Sequence, residues 1–478
     1  MKLCIRFLFL LCFTSIHAFS QQVMLQGNAE QFAAEDIYIR KVSNPITGTS
    51  EIVDTITVRS DGSFSETLEL AKPGWIFFNS GVFRVRMFLE PGMGYVLKMP
   101  PKTKKTESDI RNPFYKPVMA HIQVLCEYPL NTPQQQQKEK DINSRIFRFD
   151  TLINATSADL MAAVWNSEKV NADSIIEVIE NEYTSDSSEY FKNYRNLRYG
   201  ILKINSRDVG LQPIYEKYLN SIEPQTDNPA FMGLFNEMYK EFLFYYSRTP
   251  DGKEIKQIVN RYHNLSMLKD SLVKHPAIPD PVYAELIIIK EVFDIYFKDY
   301  FYREALLMLL DSIAEAPEIP IHARYAEEVK TYLTRLKTGN FPPAFELLDQ
   351  HGESKKLDDF KGKYVYVNFC TPDNYSCLKE FPFLNALYKV HMHHLEIVTI
   401  MVTEEIGAMV DFMQKNNYGW TALFYGNSEQ LLADYDVRAF PTSYLLDKEG
   451  RIVQSPAVLA TEGLEEQLFR IMRSRGDL

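Results

Sequence analysis

YVYVNFCTPDNYSCLKEFP, residues 364–382, is the stretch that decides the fold of the C-terminal part of this chain. Residues 364–369 form a run of β-branched and aromatic side chains, which predicts a buried strand. Residues 371–374 are typical of a turn, and from Cys377 onward apolar side chains recur at helical spacing. A helix N-terminus stabilises a thiolate through its macrodipole and its free N–H groups. The stretch therefore indicates a site where thiol chemistry is favoured.

The same residues resemble the motif of the TlpA/ResA-type envelope thioredoxins, F-W-A-x-W-C-x-x-C-[KR]-x-E-x-P after a buried strand. Four positions of this chain match that motif: Phe369, Cys377, Glu380 and Pro382. Three others depart from it, with Cys370 and Asp373 at the two tryptophans and Leu378 at the basic residue. Asn374 stands where the family has its first, attacking cysteine, so the box reads NYSC instead of CxxC. The resemblance implies a thioredoxin fold with a degenerate active site.

The resemblance extends over residues 338–478, which we predict to be one α/β thioredoxin-like domain. The opening segment FPPAFELLDQHGESKKLDDFKGKYVYVNF is similar to that of the family, and strands and helices alternate after the site helix until a closing hairpin. Phe440-Pro441-Thr442 matches the cis-proline loop, which faces the active-site cysteines in the family. The active-site positions implied by the resemblance are Asn374, Tyr375, Ser376, Glu380, Pro441 and Thr442, with Cys377 and Cys370 as the candidate catalytic thiols.

Two functions are open for this site. Disulfide exchange needs one thiolate that attacks and a second thiol that resolves the mixed disulfide. Asn374 caps a helix but does not attack sulfur, so we favour a buried, neutral Cys377 in a domain that binds a protein or peptide partner at the groove beside Pro441. The alternative is an atypical thiol-disulfide oxidoreductase that uses Cys377 with Cys370, or Cys377 alone. Neither function calls for a cofactor.

The rest of the chain predicts two further domains. Residues 21–101 alternate apolar and polar side chains around Asp61-Gly62 and Pro91-Gly92, which predicts hairpins in an antiparallel β-sandwich. This part resembles the N-terminal β domain of Bacteroidota-type envelope proteins. A charged linker follows, and residues 112–337 predict an all-α region whose Cys126 is a lone buried cysteine. The fold class is therefore multidomain: β-sandwich, helical region and thioredoxin fold.

Composition and the N-terminus restrict where the protein acts and what it binds. Residues 1–20 have a charged start, an apolar run and a small-x-small end, which predicts a cleaved secretory signal and a periplasmic protein. No other segment is long and apolar enough to predict a transmembrane helix. The net charge of −11 argues against nucleic-acid binding. The tract from His391 to His394 has no cysteine or acidic ligand to complete it, so we predict no metal site. The pattern leaves the oligomeric state open.

Overall fold

The structure, a computed structural model, describes residues 21–130, 141–168, 170–184, 186–207, 209–220, 223–426 and 428–477. The predicted secretory signal, residues 1–20, lies outside the described residues. The chain forms a β-rich N-terminal part, a central helical region and a C-terminal thioredoxin-like α/β domain. Each part has its own cluster of buried apolar side chains, so the predicted fold class is confirmed.

Sixteen strands and sixteen α-helices are present in the described residues. The strands are β1 (Gln21–Asn28), β2 (Asp36–Asn44), β3 (Thr49–Thr57), β4 (Ser63–Leu70), β5 (Gly74–Ser80), β6 (Phe83–Leu89), β7 (Met93–Lys98), β8 (Val118–Ala120), β9 (Gln123–Pro129), β10 (Glu346–Leu348), β11 (Ser354–Lys356), β12 (Tyr364–Cys370), β13 (Leu395–Met401), β14 (Thr421–Phe424), β15 (Thr442–Leu446) and β16 (Ile452–Gln454). The helices are α1 (Glu107–Arg111), α2 (Ile142–Trp165), α3 (Ala172–Asn181), α4 (Glu189–Ser206), α5 (Leu211–Ile214), α6 (Pro229–Met238), α7 (Phe242–Tyr246), α8 (Ile255–Gln257), α9 (Leu265–Leu272), α10 (Pro281–Ile295), α11 (Arg303–Glu315), α12 (Pro320–Thr334), α13 (Tyr375–His391), α14 (Ile406–Lys415), α15 (Glu429–Asp434) and α16 (Leu464–Arg475).

The N-terminal part is a sandwich of two sheets around one core. One sheet has the strand order β4-β1-β7-β9 and the other has the order β3-β2-β5-β6-β8. Most neighbours run antiparallel, as predicted, but β1 pairs with β7 and β6 pairs with β8 in parallel. The sandwich is therefore mixed, and its parallel pairs join strands that are distant in sequence.

The two predicted hairpins are wrong, although both turns exist. β3 and β4, which flank Asp61-Gly62, belong to different sheets, and so do β6 and β7 around Pro91-Gly92. Gly62 has a φ of 81° and Gly92 one of 76°, which are conformations that glycine adopts without strain. Strands on both sides of each turn bury apolar side chains in the same core. Each turn therefore carries the chain from one layer of the sandwich to the other, and alternation alone does not distinguish this from a hairpin.

The predicted boundaries at residues 101 and 112 are too early for the β-rich part. β8 and β9 lie beyond them and complete the two sheets. Cys126 lies on β9 opposite Val96 and is half-buried, so it is a strand residue and not a buried helical one. The first long helix, α2, begins at Ile142. Helical patterns dominate the sequence after residue 112, so these two short strands are not predicted from it.

Side chains of α2 and α4 connect the helical region to the β-rich part through hydrogen bonds and ring stacking. The Asn143 amide of α2 accepts a hydrogen bond from the Phe88 N–H at 2.6 Å and donates one to the Phe88 carbonyl at 3.0 Å. Tyr190 of α4 stacks on the Phe88 ring with centroids 4.0 Å apart and accepts a hydrogen bond from the Trp75 indole at 2.6 Å. These buried contacts hold β5, β6, α2 and α4 in one arrangement.

The C-terminal sheet has the order β14-β13-β12-β15-β16. β12, β13 and β14 are parallel, and β15 runs antiparallel to β12. All residues of β12 are buried, as expected for a central strand covered by helices on both faces. The predicted alternation of strands and helices and the closing hairpin of β15 and β16 are confirmed. Among the described helices, none combines the length and the hydropathy required to span a bilayer.

Candidate functional site

Asn374 caps the N-terminus of α13. Its side-chain oxygen accepts hydrogen bonds from the N–H groups of Ser376 at 2.8 Å and Cys377 at 3.2 Å. Asparagine is among the preferred residues at this position because these N–H groups have no partner within the helix. Asn374 therefore has a structural role at the start of α13, as the sequence predicts.

Both candidate thiols are inaccessible. Cys370 ends β12, Cys377 lies in the first turn of α13, and each is 0% exposed and unpaired by a disulfide. The Cys370 thiol donates a hydrogen bond to the Asn368 carboxamide at 3.4 Å, and the Thr371 N–H donates one to the Cys377 sulfur at 3.4 Å. The pKa of Cys370 is raised well above its usual value, chiefly by burial and to a lesser extent by the neighbouring Cys377 thiol. Cys370 is therefore a neutral thiol at physiological pH.

Asn368 is a polar residue of the site that the sequence pattern does not predict. It interrupts the apolar run of β12, is buried, and accepts a hydrogen bond from the Ser443 hydroxyl at 3.3 Å as well as from the Cys370 thiol. Its amide nitrogen has no hydrogen-bond partner in the part of the chain that the structure describes. A single amide in an otherwise apolar strand was the available signal for a polar contact beneath the site.

Glu380 is directed towards the loop before α16. It is 3% exposed and accepts hydrogen bonds from the Thr461 N–H and hydroxyl. Both of its oxygens are thereby engaged, so the carboxylate connects α13 to that loop. The Glu380 charge also raises the pKa of Cys370, although less than burial and the neighbouring Cys377 thiol do.

The cis-proline loop lies at the same edge of the sheet as the two thiols. The Phe440–Pro441 peptide bond is cis, and Thr442 pairs with Phe369 of β12, the residue before Cys370. Pro441 and Thr442 are half-buried, and the Thr442 hydroxyl donates a hydrogen bond to the Ala439 carbonyl at 2.7 Å. Within the described residues, the backbone N–H groups of Ala439 and Phe440 donate no hydrogen bond.

The first two turns of α13 present apolar side chains to solvent. Tyr375 is 72% exposed and Leu378 is 42% exposed, while Ser376 between them is exposed and polar. The Lys379 ammonium lies 5.0 Å from the centroid of the Tyr375 ring. The fold thus brings Asn374, Pro441 and both thiols to one end of the sheet, whereas Tyr375 and Ser376 form part of the outer surface there.

The histidine tract at the end of α13 does not lie near the thiols. His391 contacts the Glu465 carboxylate at 2.6 Å, and His393 and His394 are exposed. The described residues contain no group of three His, Cys, Asp or Glu side chains placed to hold a metal ion.

Comparison with known proteins identifies relatives of the C-terminal domain. The model of the AhpC/TSA family matches residues 338–455. The thiol-disulfide oxidoreductase ResA of Bacillus thuringiensis subsp. konkukian is 33% identical over 143 residues, which are 29% of this chain and 80% of ResA. ResA of Bacillus subtilis is 31% identical over 143 residues and 77% of its length.

A solved structure is similar to a comparable share of the chain. The thioredoxin domain of a thiol-disulfide oxidoreductase from Bacteroides vulgatus is 27% identical and covers 28% of this chain and 98% of its own, with a TM-score of 0.27. Four-fifths of a ResA protein thus align with this chain at one-third identity. Through its C-terminal domain, the chain belongs to the AhpC/TSA family of thioredoxin-like proteins, with the ResA-type thiol-disulfide oxidoreductases among its relatives.

Proposed function

We propose that the C-terminal domain is a polypeptide-binding module that has lost conventional dithiol exchange. The observation that carries this proposal is the pair of fully buried thiols behind an asparagine cap. Exchange requires a thiolate that reaches the partner's disulfide. Neither thiol is exposed, and the pKa of Cys370 is raised by burial, so this site lacks an attacking group.

The groove beside Pro441 retains features that an extended polypeptide uses. Ala439 is exposed and its N–H group donates no hydrogen bond within the described residues, so we propose that this N–H group binds the backbone of an added strand. Tyr375 and Leu378 offer exposed apolar surface on the first turns of α13. Main-chain hydrogen bonds supply affinity in such complexes, and the adjoining side chains supply selectivity.

One substitution tests both halves of the proposal. Asn374→Cys introduces a thiol at the helix N-terminus, where its pKa is lowered, with Cys377 available to resolve the mixed disulfide. We expect the variant to catalyse insulin reduction by dithiothreitol, and the wild type to match the uncatalysed rate. Asn374→Ser, which keeps the cap without a thiol, is the matched control. The double variant Asn374→Cys/Cys377→Ser is expected to accumulate a mixed disulfide with the insulin B chain.

The outcomes separate the two halves. A folded Asn374→Cys protein that neither reduces insulin nor, with Cys377→Ser, traps the B chain overturns the groove proposal. A wild-type protein that is as active as Asn374→Cys overturns the proposal that this domain has lost exchange chemistry.

The second candidate function is an atypical oxidoreductase that uses Cys370 and Cys377. The proximity of the two thiols favours it, because the Cys377 thiol contributes to the raised pKa of Cys370. Two electrons and two protons would leave the thiols as the disulfide forms, and a partner disulfide would be reduced to two thiols. The burial of both sulfurs argues against direct exchange with a protein, so we rank this function second.

We also propose that the protein acts in the periplasm. The charged, apolar and small-x-small order of residues 1–20 supports export. Mass spectrometry of the protein from a periplasmic fraction is expected to find an N-terminus at Gln21. Full-length chain confined to the cytoplasm would contradict the proposal.

A further inference from the structure

A cleft of about 290 Å³ lies where the β-rich part meets the helical region. Trp75 of β5 and Arg86 of β6 line one wall, and Phe147 and Asp150 of α2 line another. The cleft involves no residue of the thioredoxin-like domain. Ligand sites are frequent at such junctions between structural units, and this volume is near the lower limit for small-molecule pockets.

Arg86 supplies an uncompensated positive charge to the cleft. Its side chain is exposed, and the guanidinium lies 5.4 Å from the centroid of the Trp75 ring. No carboxylate in the described part of the chain forms an ion pair with it. A guanidinium that lies over an aromatic face and has no ion-pair partner is able to bind a carboxylate with two parallel hydrogen bonds.

The other charged groups of the cleft offset one another. Arg198 forms an ion pair with Asp150 at 3.4 Å and donates a hydrogen bond to Asn154 at 2.5 Å. Asp150 also accepts a hydrogen bond from the Tyr194 hydroxyl at 2.8 Å. The formal charge of these groups together with Arg86 is therefore +1, within a chain whose net charge is −11.

An aromatic platform also lines the cleft. The rings of His121 and Phe147 stack with centroids 4.2 Å apart and planes inclined by 19°. Phe147 is 49% exposed, which leaves apolar surface open to the cleft. Burial lowers the pKa of His121, so this ring is neutral at pH 7. A flat apolar body packs well on such a surface.

We propose that this cleft binds a small organic carboxylate with a flat apolar body. The carboxylate accepts hydrogen bonds from Arg86, and the body lies on the platform of Phe147 and His121. Inorganic anions lack the apolar body, and neutral aromatic molecules lack the group that Arg86 recognises. Both are therefore expected to bind more weakly.

The probe is 2-naphthoate, titrated into the full chain labelled with ¹⁵N-tryptophan. The chain has three tryptophans, so three indole N–H signals report on binding. We expect saturable movement of the Trp75 signal, while the signals of Trp165, which is exposed, and Trp420, which is buried in the thioredoxin-like domain, stay in place. The neutral 2-naphthamide and inorganic sulfate are the comparison ligands.

Arg86→Gln is expected to weaken naphthoate binding about tenfold, as the loss of a charge-assisted hydrogen bond predicts. Arg84→Gln is the matched control, because Arg84 lies two residues away on β6 with its guanidinium 4.8 Å from the centroid of the Phe77 ring, but does not line the cleft. It changes the net charge equally and is expected to bind like the wild type. The proposal is overturned if the Trp75 signal does not move, if naphthamide binds as tightly as naphthoate, or if both variants lose the same affinity.

Discussion

Replacing Asn374 by alanine tests the role of this residue as a helix cap. The substitution removes an acceptor that serves two N–H groups, those of Ser376 at 2.8 Å and Cys377 at 3.2 Å. Loss of an N-cap side chain destabilises a helix by about 1 kcal/mol. That free energy corresponds to a roughly fivefold larger equilibrium constant for opening of the first turn.

Hydrogen–deuterium exchange measures this opening directly. Peptides that cover residues 374–378 are expected to exchange about fivefold faster in Asn374→Ala than in the wild type, by the free-energy difference above. Asn374→Asp, which retains the acceptor, is expected to exchange at close to the wild-type rate. Asn385→Ala is the matched control, because Asn385 lies within the same helix and its side chain makes no hydrogen bond in the described residues.

Unchanged exchange in Asn374→Ala would refute the assignment of a capping role. Equal acceleration in Asn385→Ala would show that the effect follows from the loss of any asparagine in α13 and not from loss of the cap.

Two further substitutions test the stabilising contacts of buried carboxylates. Glu380→Ala removes the acceptor for both Thr461 hydrogen bonds. We expect the free energy of unfolding of the domain to fall by about 2 kcal/mol and its melting temperature in calorimetry to fall with it. An unchanged melting temperature would contradict the contact. Burial raises the pKa of Glu291 from 4.5 to about 7 despite the adjacent Lys290. Between these two pH values the folded protein retains a proton that the unfolded chain has lost, so stability falls as the pH rises from 4.5 to 7. Glu291→Gln retains an acceptor for the Leu243 N–H and is expected to flatten this decline in melting temperature, whereas an equally steep decline would contradict the raised pKa.

The C-terminal domain was the most predictable part of the chain. The apolar run of β12, the turn and the periodic side chains of α13 are local patterns, and each corresponds to one element. The cap followed from the residue type of Asn374 at the start of a helix. The apolar run predicts a strand that ends at Phe369, whereas β12 extends one residue further, to Cys370.

Features that depend on distant contacts were not predictable from local patterns. The turns at Gly62 and Gly92 were recognised, but the sheet to which each following strand belongs depends on pairing with remote strands such as β1 and β9. The effect of the Cys377 thiol on the pKa of Cys370 likewise depends on how α13 is placed against β12. The cleft beside Arg86 arises from two structural units, so neither sequence segment alone contains its pattern.

Thiol mapping of the purified native protein tests the central proposal most directly. The protein would be treated with diamide or left untreated, alkylated with N-ethylmaleimide before and after unfolding, and analysed by peptide mass spectrometry. The buried thiols are expected to stay reduced and to be alkylated only after unfolding, whereas the half-buried Cys126 reacts in the native state. A reversible disulfide between Cys370 and Cys377 would contradict this account and favour the oxidoreductase.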